Sequence, residues 1–562
     1  MSSESKKGLY KQVGFLAIAG VISRIIGLLY RSPLTAIIKD LGNGYYSAAY
    51  DVYSIVLLIS AYSIPSAMSK IISGKLAVRE YRNAHRIFKC ALVYVAIVGG
   101  VGSLLAFFGA SVLPIPRQAG VVLKFFAPTI FFFGFLGVLR GYVQAHRNMI
   151  PTSVSQILEQ VFNAVVSVGG AYALVNLVSE EEQSRRAMYG AIGSALGTGS
   201  GVVIALLFML FVYRVNRKGI HRRIDRDIHE DMGNKEAFKL ILLIVTPFIL
   251  STAIYNISNF LNTNIFNYIL LHIKGMDEDL ITSLFGVYKG RAMIISNLPI
   301  ALASAAAMAM IPEVSTAFAK GNKEEAGNTV SRVMRVILMI SIPAAVGLFV
   351  LARPVTMVLF PHPSESIPRA ALLLMILAIT VVFYSVSTLT NAVLQGVGKV
   401  NAPVINAAIS LIPQTGVLAL LLFYTNLNDI ALCIATIIYS LMMCILNNIV
   451  MKKHIPIKYD FKKTYLLPSI SALVMGIVAF CTHMIFEKLF IKLSLWITMK
   501  LYGEEIAKYY LSNLIATVIA VGIAMFVYFA VLIKSGGASE DDIKRFPKGV
   551  KIAQILKKLR IL

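Results

Sequence analysis

The sequence predicts an all-α integral membrane protein of about 14 transmembrane helices, arranged as two six-helix lobes with two further C-terminal helices. Three observations carry that prediction. With 57% hydrophobic and only 14% charged residues, a chain of 562 positions has too little polar surface to cover a water-soluble globule. Apolar runs of about twenty residues, enough to cross a hydrocarbon core roughly 30 Å thick, recur along the whole chain between short charged loops. The runs lack period-two alternation, so they read as helices, whose backbone polar groups are satisfied internally in lipid.

In order, the expected spans are 13–38, 45–74, 88–113, 121–145, 152–178, 188–213, 238–271, 281–311, 328–351, 368–395, 402–424, 430–451, 465–486 and 509–534. The first is long and follows a short basic start (Lys6, Lys7, Lys11), so it is expected to be retained as a helix, not cleaved as a signal peptide. Between the sixth and seventh runs, Arg214, Arg217, Lys218, Arg222, Arg223 and Arg226 are expected in a cytoplasmic loop facing anionic headgroups. Glu487 to Tyr502 mixes lysines with Leu489, Phe490, Leu495 and Trp496 and reads as an interfacial segment on the outer surface. After Ser539, Ile552, Ile555, Leu556 and Leu559 alternate with Lys551, Lys557, Lys558 and Arg560, the pattern of an amphipathic helix on the anionic leaflet.

Two short similarities suggest the six-helix repeat. Ile64-Pro65-Ser66-Ala67-Met68-Ser69 resembles Ile311-Pro312-Glu313-Val314-Ser315, and Gln144-Ala145 with Pro151 resembles Gln395-Gly396 with Pro403. Their nearly equal offsets fit two lobes in the same orientation, with a transport cavity between them. The expected domains are 1–236 and 237–453 for the lobes, 454–534 for the last two helices, and 535–562 for a cytoplasmic tail.

Charge sets the expected orientation. Of 53 lysines and arginines, 36 fall at the N-terminus, in the tail or in loops after even-numbered helices, and 12 fall on the other side. That asymmetry places both termini in the cytoplasm and explains the net charge of +25 without nucleic acid. Cys90, Cys433, Cys444 and Cys481 are scattered singly, with no metal-ligand spacing and no disulfide framework. Ser73-Gly74-Lys75-Leu76 lacks the elements of a phosphate-binding loop and no His-Glu-x-x-His motif occurs, so no catalytic residue, cofactor or metal site is expected. Gly193, Gly197 and Gly201 form consecutive GxxxG steps, which predict close helix packing.

Five cations are left inside the apolar runs: Arg24, Arg31, Lys70, Lys289 and Arg291. Arg24 lies mid-run, about 16 Å deep at 1.5 Å per residue, too far for easy snorkelling. Arg31 follows two turns later on the same face. Lys70 and Arg31 could each reach an interface, and Arg291 could pair with Glu313. Insertion of each such charge costs about 2.5–3.5 kcal/mol near the bilayer centre, a cost that suggests a use. Asp51 and Glu159 are the clear membrane acids, each able to balance an arginine or carry a coupling proton. A cavity with excess positive charge suits an anionic substrate, because guanidinium forks bind phosphate oxygens in pairs.

Ser23-Arg24-Ile25-Ile26-Gly27-Leu28-Leu29-Tyr30-Arg31-Ser32-Pro33-Leu34, Ile64-Pro65-Ser66-Ala67-Met68-Ser69-Lys70 and Ser155-Gln156-Ile157-Leu158-Glu159-Gln160 together resemble the MurJ/SpoVB branch of the multidrug/oligosaccharidyl-lipid/polysaccharide (MOP) exporter superfamily. The resemblance implies two lobes in a V shape, alternating access, and flipping of an undecaprenyl-diphosphate-linked sugar, typically lipid II, in the bacterial cytoplasmic membrane. It implies that Arg24, Lys70 in place of an arginine, and Arg291 line the central cavity, with Arg31 added by its position, and that the last two helices form a groove for the prenyl tail. It further implies coupling to membrane potential, Na+ or H+, contact with anionic lipids, and proximity to cell-wall synthesis proteins. Tyr30 and Arg31 depart from the Gram-negative pattern, which has arginine and then an acid at those places, and are closer to the Gram-positive, clostridial variant. The alternatives are export of another lipid-linked polysaccharide unit, a MATE-type cation or drug antiporter, and a non-transporting scaffold.

Overall fold

The computed structural model describes residues 19–537 apart from 21, 63, 147, 361–364, 400 and 499–505; within the helices, the side chains of 62, 247–257, 302, 305–306, 308–313, 316, 319, 492–498 and 506–509 also lie outside the description. The expected tail helix after Ser539 and part of the 487–502 segment therefore fall outside the described residues.

All regular structure among the described residues is helical, as the apolar runs predict. Two compact units, Met1–Gly286 and Val287–Leu562, divide the chain. In the first, α1 (22–29) leads into α2 (Arg31–Leu57), a five-residue π-helical segment (Leu58–Tyr62) and α3 (Ile64–Ala77); then come α4 (Tyr81–Gly109), α5 (Arg117–Ala145), α6 (Ile150–Val175), α7 (Gln183–Asp225), α8 (Asn234–Tyr268) with its π-helical end Ile269–Ile273, and α9 (Glu278–Val287). The second begins with the π-helical segment Tyr288–Ala292 and holds α10 (Met293–Ala319), α11 (Lys323–Val350), α12 (Ala352–Leu359), α13 (Ile367–Gly396), α14 (Asn401–Tyr424), α15 (Asp429–His454), the π-helical Lys462–Leu466, α16 (Leu467–Thr498) and α17 (Ile506–Lys534).

Eleven helices among the described residues are long and apolar enough to cross a bilayer, against about 14 expected from the sequence. The Arg31–Ala77 stretch counts once although it breaks at Lys39, where φ is 57° and ψ −169°. That break separates the first two expected spans. The π-helical turn at Leu58–Tyr62 comes just before Pro65, whose missing N–H cannot continue the regular ladder. The basic stretch expected as a loop is corrected: α7 runs unbroken through it to Asp225, 43 residues in all, and Arg214, Arg217, Lys218, Arg222 and Arg223 are exposed along its extension. Its arginines and lysine are good helix formers and outweigh the one glycine, Gly219.

Large apolar side chains on the outside of both units are consistent with lipid as their solvent: Phe108 is 70% and Ile477 68% exposed. Inside the first unit, small residues set the spacing. A Cβ on Gly197 would lie 2.0 Å from Ser167 Oγ and 2.5 Å from the Ser167 backbone nitrogen, and one on Gly193 2.3 Å from the Ala171 nitrogen. The GxxxG steps thus let α7 meet α6 backbone to backbone, as their spacing predicts. Gly197→Leu is expected to lower stability by at least about 2 kcal/mol, because neither backbone can yield to the added volume. Gly219→Leu, on the same helix where no atom lies within 4 Å, should leave the thermal unfolding midpoint of the purified protein unchanged.

A polar clamp ties the linker between α7 and α8 to the start of α4. Asp227, 6% exposed, accepts the Arg82 N–H at 2.7 Å and the His229 N–H at 3.0 Å, with the His229 ring at 2.7 Å. Arg86 pairs with Asp231 at 2.9 Å, and Asn83 bonds Met232 and Glu230 backbone groups at 2.8 and 3.0 Å. Burial alone would raise the Asp227 carboxyl; the Arg82 and His229 N–H groups and the His229 ring outweigh it and bring it down to about 2. Its stabilisation is complete above the ordinary value of about 4 and is lost only as the pH falls through about 2.

In the second unit, Tyr528 of α17 is buried and donates to the Met339 carbonyl of α11 at 2.9 Å, within an apolar cluster that includes Ala472, Met475 and Leu532. The last two helices are thereby fixed to α11 by packing as well as by chain connection.

Candidate functional site

Arg24 sits on α1, an apolar helix, and its side chain is exposed at the protein surface. It has no acidic partner among the described residues. Ile22, Ile25 and Leu29 form the apolar exposed stripe of α1, while Arg24, Gly27 and Arg31, at spacings of three and seven, share another face. That face approaches α6: a Cβ on Gly27 would lie 3.7 Å from Gln160 Oε1. Arg24 is thus a cation held open within an apolar helix beside polar side chains of its own unit.

Arg31 is half-buried, with its guanidinium 5.1 Å from the Tyr46 ring centroid and 5.8 Å from that of Tyr30. Tyr46 stacks on Tyr50 at 5.8 Å and meets Phe126 edge-on at 5.4 Å. The aromatic quadrupoles offer a cation a partner without neutralising it. Lys70 is exposed on α3, and no ion pair to it exists among the described residues.

Arg291, in the second unit, is only 4% exposed, inside the π-helical turn that opens the unit, with its guanidinium 5.4 Å from the Phe360 centroid. A π-helical turn displaces side chains from α-helical register, which is how such turns come to carry functional groups. Next to it, the Tyr288 hydroxyl and Thr436 Oγ1 are 2.7 Å apart in the core. The Glu313 side chain lies outside the described residues.

The two membrane acids are both engaged. Asp51, 7% exposed, accepts a hydrogen bond from Thr263 Oγ1 of α8 at 2.9 Å. Glu159 pairs with Arg140 at 2.8 Å, and Arg140 Nε donates to Ser155 Oγ at 2.9 Å. Arg140 is a buried cation that sequence reasoning missed, because five residues from the edge of its run it reads as interfacial. A second missed pair lies in the other unit, where Arg369 Nε reaches both oxygens of the fully buried Asp429 at 3.0 and 3.1 Å. An amide cluster was missed too: Asn447 Nδ2 donates to Asn391 Oδ1 at 2.7 Å and Asn406 Nδ2 to Asn447 Oδ1 at 2.8 Å. Isolated asparagines in apolar runs carry no pattern that would single them out.

The described acids of the membrane interior are thus tied to a cation or a hydroxyl, whereas Arg24 and Lys70 are open and Arg31 faces rings. Positive charge is the surplus quantity in the first unit.

Comparison with known proteins agrees with this chemistry. The family described as "Polysaccharide biosynthesis protein" matches residues 9–318, and the family described as "MatE" matches residues 289–420. The chain is similar to "Lipid II flippase MurJ" of Bacillus subtilis (strain 168), 22% identical over 495 residues, covering 85% of this chain and 88% of that protein. It is also similar to "Stage V sporulation protein B" of the same organism, 24% identical over 464 residues, covering 82% of this chain and 86% of that one. Among solved structures, "Lipid II flippase MurJ, inward closed conformation" shares the fold, with a TM-score of 0.61 at 14% identity over 92% of this chain and 99% of that chain.

Proposed function

The chain belongs to the polysaccharide biosynthesis protein family, in its MurJ/SpoVB-type MOP-superfamily branch, and from that premise we propose that it flips an undecaprenyl-diphosphate-linked cell-wall precursor across the membrane, lipid II first among them. The observation that carries the reading is the surplus of positive charge in an apolar bundle: Arg24 open on its helix, with the membrane acid Glu159 occupied by Arg140. A diphosphate offers paired oxygens to guanidinium forks and brings the negative charge that the helices lack. The similarity to "Lipid II flippase MurJ" supports the same reading, and no catalytic constellation is needed for the task.

In this reading both termini are cytoplasmic, and Arg24, Lys70 and Arg291 receive the diphosphate from the cytoplasmic leaflet, with Arg31 nearer the outside. Neutralisation of these cations by the bound diphosphate shifts the balance between inward-open and outward-open states. Return of the empty carrier draws on the membrane potential, worth about 2.3 kcal/mol per charge per 100 mV. The prenyl chain stays in lipid alongside α16 and α17.

The match of residues 289–420 to the MatE family favours one second reading, a cation or drug antiporter. That chemistry calls for free membrane carboxylates, and Glu159 is committed to Arg140 while Asp51 is bonded to Thr263. Expression of the chain in a bacterium depleted of its own lipid II flippase separates the readings. Restored growth and wall synthesis are expected; unchanged lysis together with new resistance to cationic dyes would favour the antiporter.

A further inference from the structure

Four aromatic rings of the first unit form one cluster, and one of them is open. Tyr46 and Tyr53 of α2 and Phe126 of α5 are 3%, 2% and 0% exposed, as core residues are. Tyr50 belongs to the same cluster, stacked on Tyr46 with centroids 5.8 Å apart and planes 15° from parallel, 5.5 Å from Tyr53 and 5.9 Å from Phe126. Yet it is 40% exposed. Tyr46 also joins it to Arg31, whose guanidinium lies 5.1 Å from the Tyr46 centroid. The cluster thus presents a ring backed by other rings, beside a half-buried guanidinium.

Tyrosines exposed at headgroup level are common in membrane proteins, and depth separates Tyr50 from them. The break at Lys39 separates the first two spans. Tyr50 lies eleven residues beyond it and Arg31 eight before it, about 16 and 12 Å along the helices at 1.5 Å per residue. Half of a hydrocarbon core is about 15 Å, so both stand near its middle. Lipid does not account for the exposure either. Among the described residues of 45–74 the exposed ones are Tyr50, Ile59, Ser66, Lys70, Ser73 and Gly74, of which Ile59 alone is a large aliphatic residue. By contrast, α4 turns Val101, Leu105 and Phe108 outward. The segment that carries Tyr50 has the composition of a surface that meets a polar space.

An open ring face carries partial negative charge and suits a ligand with a flat face of C–H groups, which is what the less polar side of a sugar ring offers. A cation suits a ring face too, but Arg31 already lies in the field of Tyr46 and repels one. The guanidinium supplies N–H donors for hydroxyl and carbonyl oxygens, which a sugar bears and a hydrocarbon chain does not. Arg24 stands two turns from Arg31, about 10 Å along the helix. In a lipid-linked saccharide the first sugar follows the diphosphate directly, so a diphosphate at Arg24 brings that ring within reach of the platform.

We propose that Tyr50 is a stacking platform for a sugar ring of the cargo, with Arg31 bonding oxygens at the edge of that ring. The inference rests on the proposed flipping of a diphosphate-linked sugar and adds to it the residue that reads the sugar.

The test compares equilibrium binding of two radiolabelled lipids to the full chain purified in detergent: undecaprenyl diphosphate, and the same lipid carrying the two sugars of lipid II. The wild type is expected to bind the sugar lipid more tightly. Tyr50→Leu should weaken the sugar lipid by about three- to tenfold, the worth of one aromatic stack, and leave bare undecaprenyl diphosphate unchanged. Tyr50→Phe should keep the wild-type preference. An affinity ratio unchanged in Tyr50→Leu would overturn the platform while leaving the flippase reading intact, as would a wild type that binds both lipids alike. Binding of neither lipid by the wild type would overturn the flippase reading and the platform with it. Should Tyr50→Leu fail to fold, Tyr50→Trp decides. Its emission, above the background of Trp496, the one tryptophan of the chain, should shift with the sugar lipid and not with undecaprenyl diphosphate. An equal response to both lipids would overturn the proposal.

Discussion

Arg24→Ala is expected to cut lipid translocation by about 100-fold while leaving membrane insertion and folding intact. Truncating one partner of a desolvated, hydrogen-bonded charge pair costs about 2–5 kcal/mol, and about 3 kcal/mol corresponds to that factor. Stability should not suffer, because Arg24 is exposed on α1 and no acid among the described residues would be left unpaired. Arg24→Lys should recover part of the rate: the charge is kept, but the fork that meets two phosphate oxygens is lost. Complementation of a flippase-depleted strain, scored against membrane abundance, reads both variants. Full growth with Arg24→Ala would remove Arg24 from the site.

The opposite pattern is expected for the Arg140–Glu159 pair. The Arg140 side chain is 8% exposed and that of Glu159 18% exposed, so Glu159→Gln alone leaves a guanidinium without its counter-charge. Breaking such a pair costs about 3 kcal/mol or more, whereas replacing both members by apolar residues of similar size is often neutral. Glu159→Gln should therefore lower the thermal unfolding midpoint, and Arg140→Met with Glu159→Leu should restore it. If the doubly replaced protein also flips lipid, Glu159 balances charge and carries no coupling proton. A stable double variant that no longer translocates would assign Glu159 the coupling role instead.

The contrast between these two arginines shows what the sequence discloses. Arg24 stands out because it interrupts an apolar run near its middle, and depth can be counted along a chain. Arg140 does not, because its distance from a run edge resembles that of any interfacial arginine, and its partner is supplied by a different helix. The same holds for Asp429, which reads as a helix-start acid yet is fully buried against Arg369. The GxxxG steps of α7 were legible because backbone approach needs only small residues at fixed spacing. The break at Lys39 and the π-helical turns at Leu58–Tyr62 and Tyr288–Ala292 were not. They lie within or beside apolar stretches whose composition is unchanged by one extra residue per turn. Yet one of these turns carries Arg291. The continuation of α7 through the basic segment was missed for a related reason: loss of hydrophobicity marks the membrane edge, not the helix end.

The most direct test of the central claim is translocation by the purified protein in vesicles. Fluorescent lipid II, a second undecaprenyl-diphosphate-linked sugar and a cationic dye would be compared under an imposed membrane potential. The account predicts transfer of at least one of the two lipids to the opposite leaflet, dependent on Arg24 and on the diphosphate, with the dye left where it was. Dye movement without lipid movement would contradict it.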